Sequence, residues 1–223
     1  MIYVDKLRVR NAVILVTLSL LFTHCSPVKE IKTNVPNYKL VQIGRSKNPT
    51  VLFFQDSYCL QNDSITNWFV KNNYQVILAE RLNIDPLYIL NTDHPLMRAS
   101  DGLALINSLS NYPIEYIAAT GLEVHSTVEW FVNTEIKGGF LFPFYKGSLR
   151  DYLIECMYKN KKVLPGYPSI IEPIELMQLL ETTPPPSGIY GNYSLRFLQD
   201  IWQQQPKINL TSYEGELLYQ VVK

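Results

Sequence analysis

A strand, a helix and a second strand follow one another in residues 50–83, TVLFFQDSYCLQNDSITNWFVKNNYQVILAERLN. Thr50–Phe54 is a continuous apolar run, which is typical of a strand buried on both faces of a sheet. Asp63 can cap a helix that extends through Asn73, and Tyr74–Ala79 is a second apolar strand. This succession predicts a parallel strand pair joined by a right-handed crossover.

The same alternation continues toward the C-terminus. We expect a helix over Arg98–Leu109, a strand over Ile114–Ala119, a helix to about Asn133 and a strand over Ile136–Phe142. Strands that alternate with helices of these lengths predict the α/β class, with a three-layer and mostly parallel sheet.

After residue 147 the pattern becomes helical. Three successive helices are predicted before a strand resumes, and the four elements are Leu149–Tyr158, Glu172–Glu181, Tyr193–Gln204 and Lys207–Thr211. An insertion between two strands of such a sheet often covers the end where ligands bind. We therefore expect a helical cap over about residues 147–205.

Composition excludes several classes of protein. Apolar residues make up 47% of the 223 residues and charged residues 18%, which is too apolar for a disordered chain. The formal net charge is zero, so nothing points to nucleic-acid binding. Removal of residues 1–24 takes away three basic and one acidic residue from 20 of each, which leaves a net charge of −2.

The N-terminus has the pattern of an export signal. Asp5–Arg10 is net basic, Ala12–Phe22 is apolar and too short to span a bilayer, and Cys25 follows. A cysteine at this place resembles the lipobox of bacterial lipoproteins, although His24 stands where that family has a small residue. The resemblance implies that Cys25 is acylated and becomes the new N-terminus; an uncleaved anchor is the alternative.

This resemblance predicts the organisation of the chain and its location. Residues 1–24 are a signal peptide, residues 25–37 a polar tether and residues 38–223 the folded domain. The lipidated Cys25 makes the membrane the predicted partner, and the cell envelope, periplasmic or surface-exposed, the predicted location. Cys59 and Cys156 remain in the domain, where they either pair or stay two separate buried thiols.

From Tyr38 to Thr211 the order of elements resembles the α/β-hydrolase fold. The 50–83 stretch corresponds to that family's strand, His-Gly loop, helix and strand. The stretch RASDGLALINSLSNYPIEYIAATGLEVHSTVEWFVNTEIKGGFLFPF, residues 98–144, corresponds to its helix, nucleophile strand, elbow, helix and next strand. The resemblance implies a ligand end at the carboxyl ends of the strands, where Gln55, Asp56, Thr120 and Gly121 follow or close two of them.

The catalytic parts of that family are mostly missing. Its nucleophile elbow, G-x-S-x-G, corresponds to residues 118–125, where Thr120 or Gly121 takes the nucleophile position. Other registers place Glu123 or Ser126 there. Gln55 and Asp56 replace the His-Gly of the oxyanion loop, and no histidine follows His125 to complete a triad. The sequence therefore predicts a degenerate member.

Weak candidates for chemistry remain near the elbow. Glu123 and His125 can form an acid/base pair if the turn brings them together, and Ser126 can serve as a nucleophile beside them. Asp93 and His94 lack further ligands at metal-binding spacing, so no metal site and no cofactor are predicted.

Three hypotheses follow from these observations. The first is a non-catalytic domain that binds a ligand or partner at the cell envelope. The second is an active ester or amide hydrolase that uses an atypical constellation near residues 120–126. The third is a structural envelope protein that acts through its surface. Ordered, convergent polar groups at the ligand end would favour the first two, and a closed ligand end filled by side chains would favour the third.

Overall fold

The computed structural model describes residues 28–35, 37–56, 59, 62–82, 95–127, 136–143, 147–159, 172–182, 187–190, 193–202, 211–212 and 219–222. The predicted signal peptide, Cys25, Asp93 and His94 lie outside these residues. Among the described helices, none has the length and apolar character needed to cross a membrane.

An eight-stranded sheet forms the centre of the domain. Its strands are β1 (Val28–Ile31), β2 (Tyr38–Ile43), β3 (Thr50–Gln55), β4 (Gln75–Arg81), β5 (Ile114–Thr120), β6 (Gly138–Phe142), β9 (Thr211–Ser212) and β10 (Tyr219–Val222). Their spatial order is β1-β2-β4-β3-β5-β6-β10-β9. The four central strands β4, β3, β5 and β6 are parallel, and the outer strands are antiparallel to their neighbours. The predicted α/β class with a mostly parallel sheet is confirmed.

Five helices with defined bounds, a helical stretch at residues 124–127 and a small hairpin lie around the sheet. The helices are α1 (Asn62–Lys71), α2 (Pro95–Ser108), α3 (Leu149–Lys159), α4 (Pro173–Glu181) and α5 (Leu195–Asp200), and the hairpin joins β7 (Ile189–Tyr190) to β8 (Tyr193–Ser194). A short 3₁₀ turn, Gly121–Glu123, follows β5 directly.

The two faces of β3 explain why its sequence is apolar throughout. Leu52 and Phe54 belong to the core on the side of α2, which includes Leu105. Val51 and Phe53 belong to the core on the side of α1, where the rings of Phe53 and Phe69 lie 5.8 Å apart. Successive side chains of a strand point to opposite faces, so a strand between two helical layers needs apolar residues at every position.

The N-terminal segment differs from the sequence prediction. Val28–Ile31, which lies within the predicted tether of residues 25–37, forms an edge strand antiparallel to β2. Only Ile31 of this strand is buried, and its other three residues are exposed. The sequence therefore has too little alternation of apolar and polar residues to predict a strand. Backbone hydrogen bonds to β2, and not buried side chains, stabilise β1.

The C-terminal part of the sheet also differs. The predicted strand Lys207–Thr211 lies outside the described residues except at its end, where Thr211 begins the two-residue β9. Strand β10, which sequence analysis missed, pairs antiparallel with β6 and brings Val222 opposite Gly138.

The cap is mostly helical, with one correction. The helix predicted at Tyr193–Gln204 begins only at Leu195, because Tyr193 and Ser194 belong to the β7–β8 hairpin. Ser194 caps α5, since its side chain accepts a hydrogen bond from the Phe197 amide at 2.9 Å. The position of Tyr193 on a hairpin, and not on a helix, decides where its hydroxyl points.

One apolar cluster joins the cap to the sheet. It contains Leu122 from the turn after β5 together with eleven buried cap residues, namely Leu149, Leu153, Leu176, Leu180, Tyr190, Tyr193, Leu195, Phe197, Leu198, Ile201 and Trp202. The cap thus packs directly on the end of β5. Of the two readings of the domain cysteines, the structure shows two separate buried thiols, Cys59 and Cys156.

Candidate functional site

The carboxyl ends of β3 and β5 lie side by side, because Phe54 pairs with Ala119 in the parallel register. The two segments that follow are held together by polar contacts. The Asp56 amide donates to Thr120 Oγ1 at 3.0 Å, and Thr120 Oγ1 donates to Asn62 Oδ1 at 2.9 Å. Asn62 Nδ2 in turn donates to the Asp56 carbonyl oxygen at 2.8 Å. The Thr120 hydroxyl is therefore fully engaged in structure.

A sharp turn follows β5 at Gly121. Its φ is +60°, a left-handed conformation that glycine adopts at little cost and that side chains disfavour. Of the residues considered for the nucleophile position, Gly121 is the one that lies at the turn between β5 and the helical residues that follow. A glycine there relieves the backbone strain and provides no nucleophilic atom.

The backbone amide of the next residue, Leu122, is already bound. It donates to Asp56 Oδ2 at 3.0 Å, and both residues are buried. Such an amide at the start of a helical turn is a natural donor to a negatively charged oxygen. Here that oxygen belongs to the protein itself.

Glu123 lies beside this contact and forms an ion pair with an arginine. Arg98 Nη1, from α2, lies 2.6 Å from Glu123 Oε1. The guanidinium carbon of Arg98 also lies over two aromatic rings of the cap, 4.1 Å from the ring centre of Tyr193 and 4.8 Å from that of Phe197. A guanidinium between a carboxylate and aromatic faces has its charge compensated without water.

The Tyr193 hydroxyl connects the two carboxylates. It lies 3.1 Å from Asp56 Oδ2 and 3.2 Å from Glu123 Oε1, and its one proton can be donated to either oxygen. Asp56, Arg98, Glu123 and Tyr193 are between 1% and 5% exposed. We call these four residues, with the Leu122 amide, the buried polar network. Among the described residues, it places the protein's own buried side chains beyond the carboxyl ends of β3 and β5.

The charge of this network also affects the pKa of Tyr38, on β2. Its burial and then the negative charge of Glu123 raise the pKa of the Tyr38 phenol above its ordinary value. The phenol is therefore neutral at every physiological pH, and the ligand end gains no further charge from it.

His125 and Ser126, the other two candidates near the elbow, are both described by the structure. Burial lowers the pKa of His125 to about 4, so its imidazole is neutral at pH 7. The Ser126 hydroxyl is fully buried and has no hydrogen-bond partner in the described part of the chain. Neither fact supplies the nucleophile–base contact that acyl transfer needs.

Sequence analysis and structure agree only in part on the site residues. The structure brings Asp56, Thr120, Gly121 and Glu123 together, as their positions after adjacent strands suggested. Gln55 instead donates to Thr66 Oγ1 at 3.4 Å, on α1. The Glu123–His125 pair and the nucleophilic role of Ser126 stay hypotheses.

Three contributing residues were missed: Asn62, Arg98 and Tyr193. One signal for Arg98 existed, because it lies seven residues before Leu105 and so on the inward face of α2. An arginine on an apolar helix face requires a buried acidic partner. No local signal marks Tyr193, whose role depends on the cap folding back over the sheet.

Comparison with known proteins gives similarity to solved structures only. No protein-family model matches the chain, and no curated protein matches it. A laboratory-evolved variant of potato epoxide hydrolase is 16% identical, with a TM-score of 0.40 over 59% of this chain and 46% of that one. A CIB-like hydrolase from Thermoplasma acidophilum is 12% identical, with a TM-score of 0.40 over 57% of this chain and 69% of that one.

A third similar structure is an esterase from Pyrococcus furiosus, which is 8% identical with a TM-score of 0.38 over 51% of this chain and 48% of that one. The chain spans less than half the length of the epoxide hydrolase.

The Arg98–Glu123 ion pair is expected to couple strongly in a double-mutant cycle. Arg98→Met or Glu123→Leu alone leaves one buried charge without its partner and is expected to cost about 3–5 kcal/mol of unfolding free energy. Because the double variant removes both charges, its loss should be well below the sum of the single losses. Urea unfolding of the protein from Ser26 to Lys223 measures each value.

The exposed pair Lys159–Glu155 on α3 provides a matched control, since its side chains are 57% and 50% exposed. Its coupling energy should not exceed about 0.5 kcal/mol. A coupling between Arg98 and Glu123 as small as that of the control would show that the pair is open to solvent.

Stability is expected to fall on acidification because of His125. The unfolded imidazole takes up a proton below its ordinary pKa of 6.5, whereas the folded one does so only near 4. The stabilisation is therefore complete above pH 6.5 and decreases as the pH falls toward 4. The share of His125 in the loss between pH 7 and pH 5 should be about 1–2 kcal/mol. Urea unfolding of His125→Gln should show a correspondingly flatter pH dependence, and equal slopes would contradict the assigned burial.

Proposed function

We propose that this chain is a lipoprotein of the cell envelope, anchored through Cys25, whose α/β-hydrolase-like domain is non-catalytic and acts by binding a partner. The observation that carries the proposal is the hydrogen bond from the Leu122 amide to Asp56 Oδ2. In α/β hydrolases the amide after the nucleophile stabilises the oxyanion of the reaction intermediate.

A resident carboxylate prevents that use of the amide. An oxyanion would have to displace the negative charge of Asp56 from the Leu122 donor while the Asp56 carboxylate remains close by. Displacement would also cost the hydrogen bond between Tyr193 and Asp56. Together with the absence of a side chain at Gly121, these contacts favour a domain that has lost turnover.

The same contacts favour a macromolecular partner over a small molecule. The cap packs on Leu122, and the buried polar network fills the ligand end. Small-molecule sites are concave and mostly preformed, whereas this end of the sheet is occupied by side chains. The proposal therefore joins the first hypothesis, a non-catalytic binding domain, to the surface action of the third, and assigns binding to the outer surface of the domain.

The proposal predicts that the protein from Ser26 to Lys223 hydrolyses ester, amide and epoxide substrates no faster than buffer does. Glu123→Ala, His125→Ala and Ser126→Ala should give the same rates, since none of these residues has a catalytic role to lose. Initial rates on chromogenic substrates, with circular dichroism to verify folding, provide the measurement.

An active parent would contradict the proposal. If Ser126→Ala or His125→Ala then abolished turnover, the atypical constellation near residues 120–126 would be the active site. Covalent labelling by a fluorophosphonate probe, absent from Ser126→Ala, would locate the nucleophile independently of the choice of substrate.

A further inference from the structure

Strand β1 begins very close in sequence to the proposed anchor. Strand β1 starts at Val28, so only Ser26 and Pro27 separate it from Cys25. Three residue steps span at most about 11 Å. If Cys25 is acylated, the end of the sheet that contains Val28 must therefore lie at the membrane surface, without a long tether between them.

The strand register identifies which edge of the sheet this is. Val28 pairs with Ile43 at the end of β2, and Thr50 pairs with Gln75 at the starts of β3 and β4. The turn between β2 and β3 packs there too, since a Cβ at Gly44 would lie 3.0 Å from the Tyr74 carbonyl oxygen. We call this the amino edge. The buried polar network lies at the opposite edge, beyond the ends of β3 and β5.

The amino edge is strongly basic. Four cationic side chains are exposed there, from β1, from the β2–β3 turn and from the end of α1: Lys29, Arg45, Lys47 and Lys71. Lys137 lies at the start of β6 and is compensated by an ion pair with Glu115. Glu30 follows Lys29 on β1 and is exposed as well, so the four cations outnumber the one other acidic side chain beside them. This contrasts with the net charge of −2 predicted for the mature chain.

We infer that the amino edge is a membrane-contacting surface, whose lysine and arginine side chains bind the phosphates of anionic lipid headgroups. The inference rests on the proposed anchoring through Cys25. Acyl chains hold the protein at the bilayer, and the four cations fix its orientation, with the cap directed away from the membrane. Each basic side chain near an anionic surface strengthens binding by a factor of about five at physiological salt.

The test uses the full chain, processed in its bacterial host and purified in detergent. Intact-mass measurement first establishes whether the parent carries lipid, with Cys25→Ser as the unlipidated reference. The parent is then reconstituted into vesicles of phosphatidylglycerol and phosphatidylcholine in equal parts, or of phosphatidylcholine alone. An amine-reactive ester labels the lysines, and peptide mass spectrometry quantifies each site.

We expect Lys29, Lys47 and Lys71 to label several-fold more slowly in the phosphatidylglycerol vesicles than in detergent. Lys159, on the cap, should label equally in both. High salt should remove the protection, because the contact is electrostatic. Arg45→Glu should weaken the protection of the three lysines, whereas Arg150→Glu, an exposed change on the cap, should leave it intact.

Lipidated protein whose three lysines label as fast as Lys159 would overturn the inference and leave the proposed anchoring intact. Equal protection in the two vesicle types would also overturn it, because the contact would not depend on anionic lipid. Protection in native membranes but not in the vesicles would assign the amino edge to a protein partner. A parent without lipid would overturn both the anchoring and the inference.

Discussion

The hydrogen bond between the Leu122 amide and the Asp56 carboxylate connects the three parts of this domain. Asp56 follows β3, Leu122 follows β5, and Leu122 also belongs to the apolar cluster of the cap. Through Tyr193, which reaches the same carboxylate oxygen, the cap hairpin becomes part of the contact. An unpaired buried carboxylate would be very unfavourable, so this contact favours the arrangement in which the cap, the turn and the sheet come together.

This constraint explains why the ligand end is polar and yet closed. Two buried carboxylates lie within hydrogen-bonding distance of a single phenol, and a buried guanidinium pairs with one of them. Such a network favours one arrangement of its members, because each displaced group leaves another without compensation. A catalytic site needs comparable polar groups directed at a substrate. Here the same types of group are directed at one another.

The sequence contained most of the fold because the central strands are apolar on both faces. Strands β3 and β5 and the helices between them follow from hydrophobic runs and helical spacing. Strand β1 did not, since three of its four residues are exposed and its pairing depends on the backbone of β2. The two-residue strands of the cap hairpin are too short for any periodicity.

The sequence predicted only those site residues whose positions follow from the order of strands in the sheet. Asp56 and Gly121 meet because parallel strands present their carboxyl ends at one edge. Arg98 and Tyr193 reach the site through tertiary packing of α2 and of the cap, which no local pattern encodes. Asp56, which the sequence predicts to bind a ligand, accepts the hydrogen bond of the Leu122 amide in the structure.

Amide hydrogen exchange at Leu122, followed by nuclear magnetic resonance, tests the central claim most directly. If Asp56 holds this amide inside a closed network, its exchange should require an opening nearly as costly as global unfolding, and Asp56→Asn should accelerate it by orders of magnitude. Exchange at the rate of an exposed loop in the unmodified protein would contradict the account, because the ligand end would then be open and its amide available to a substrate.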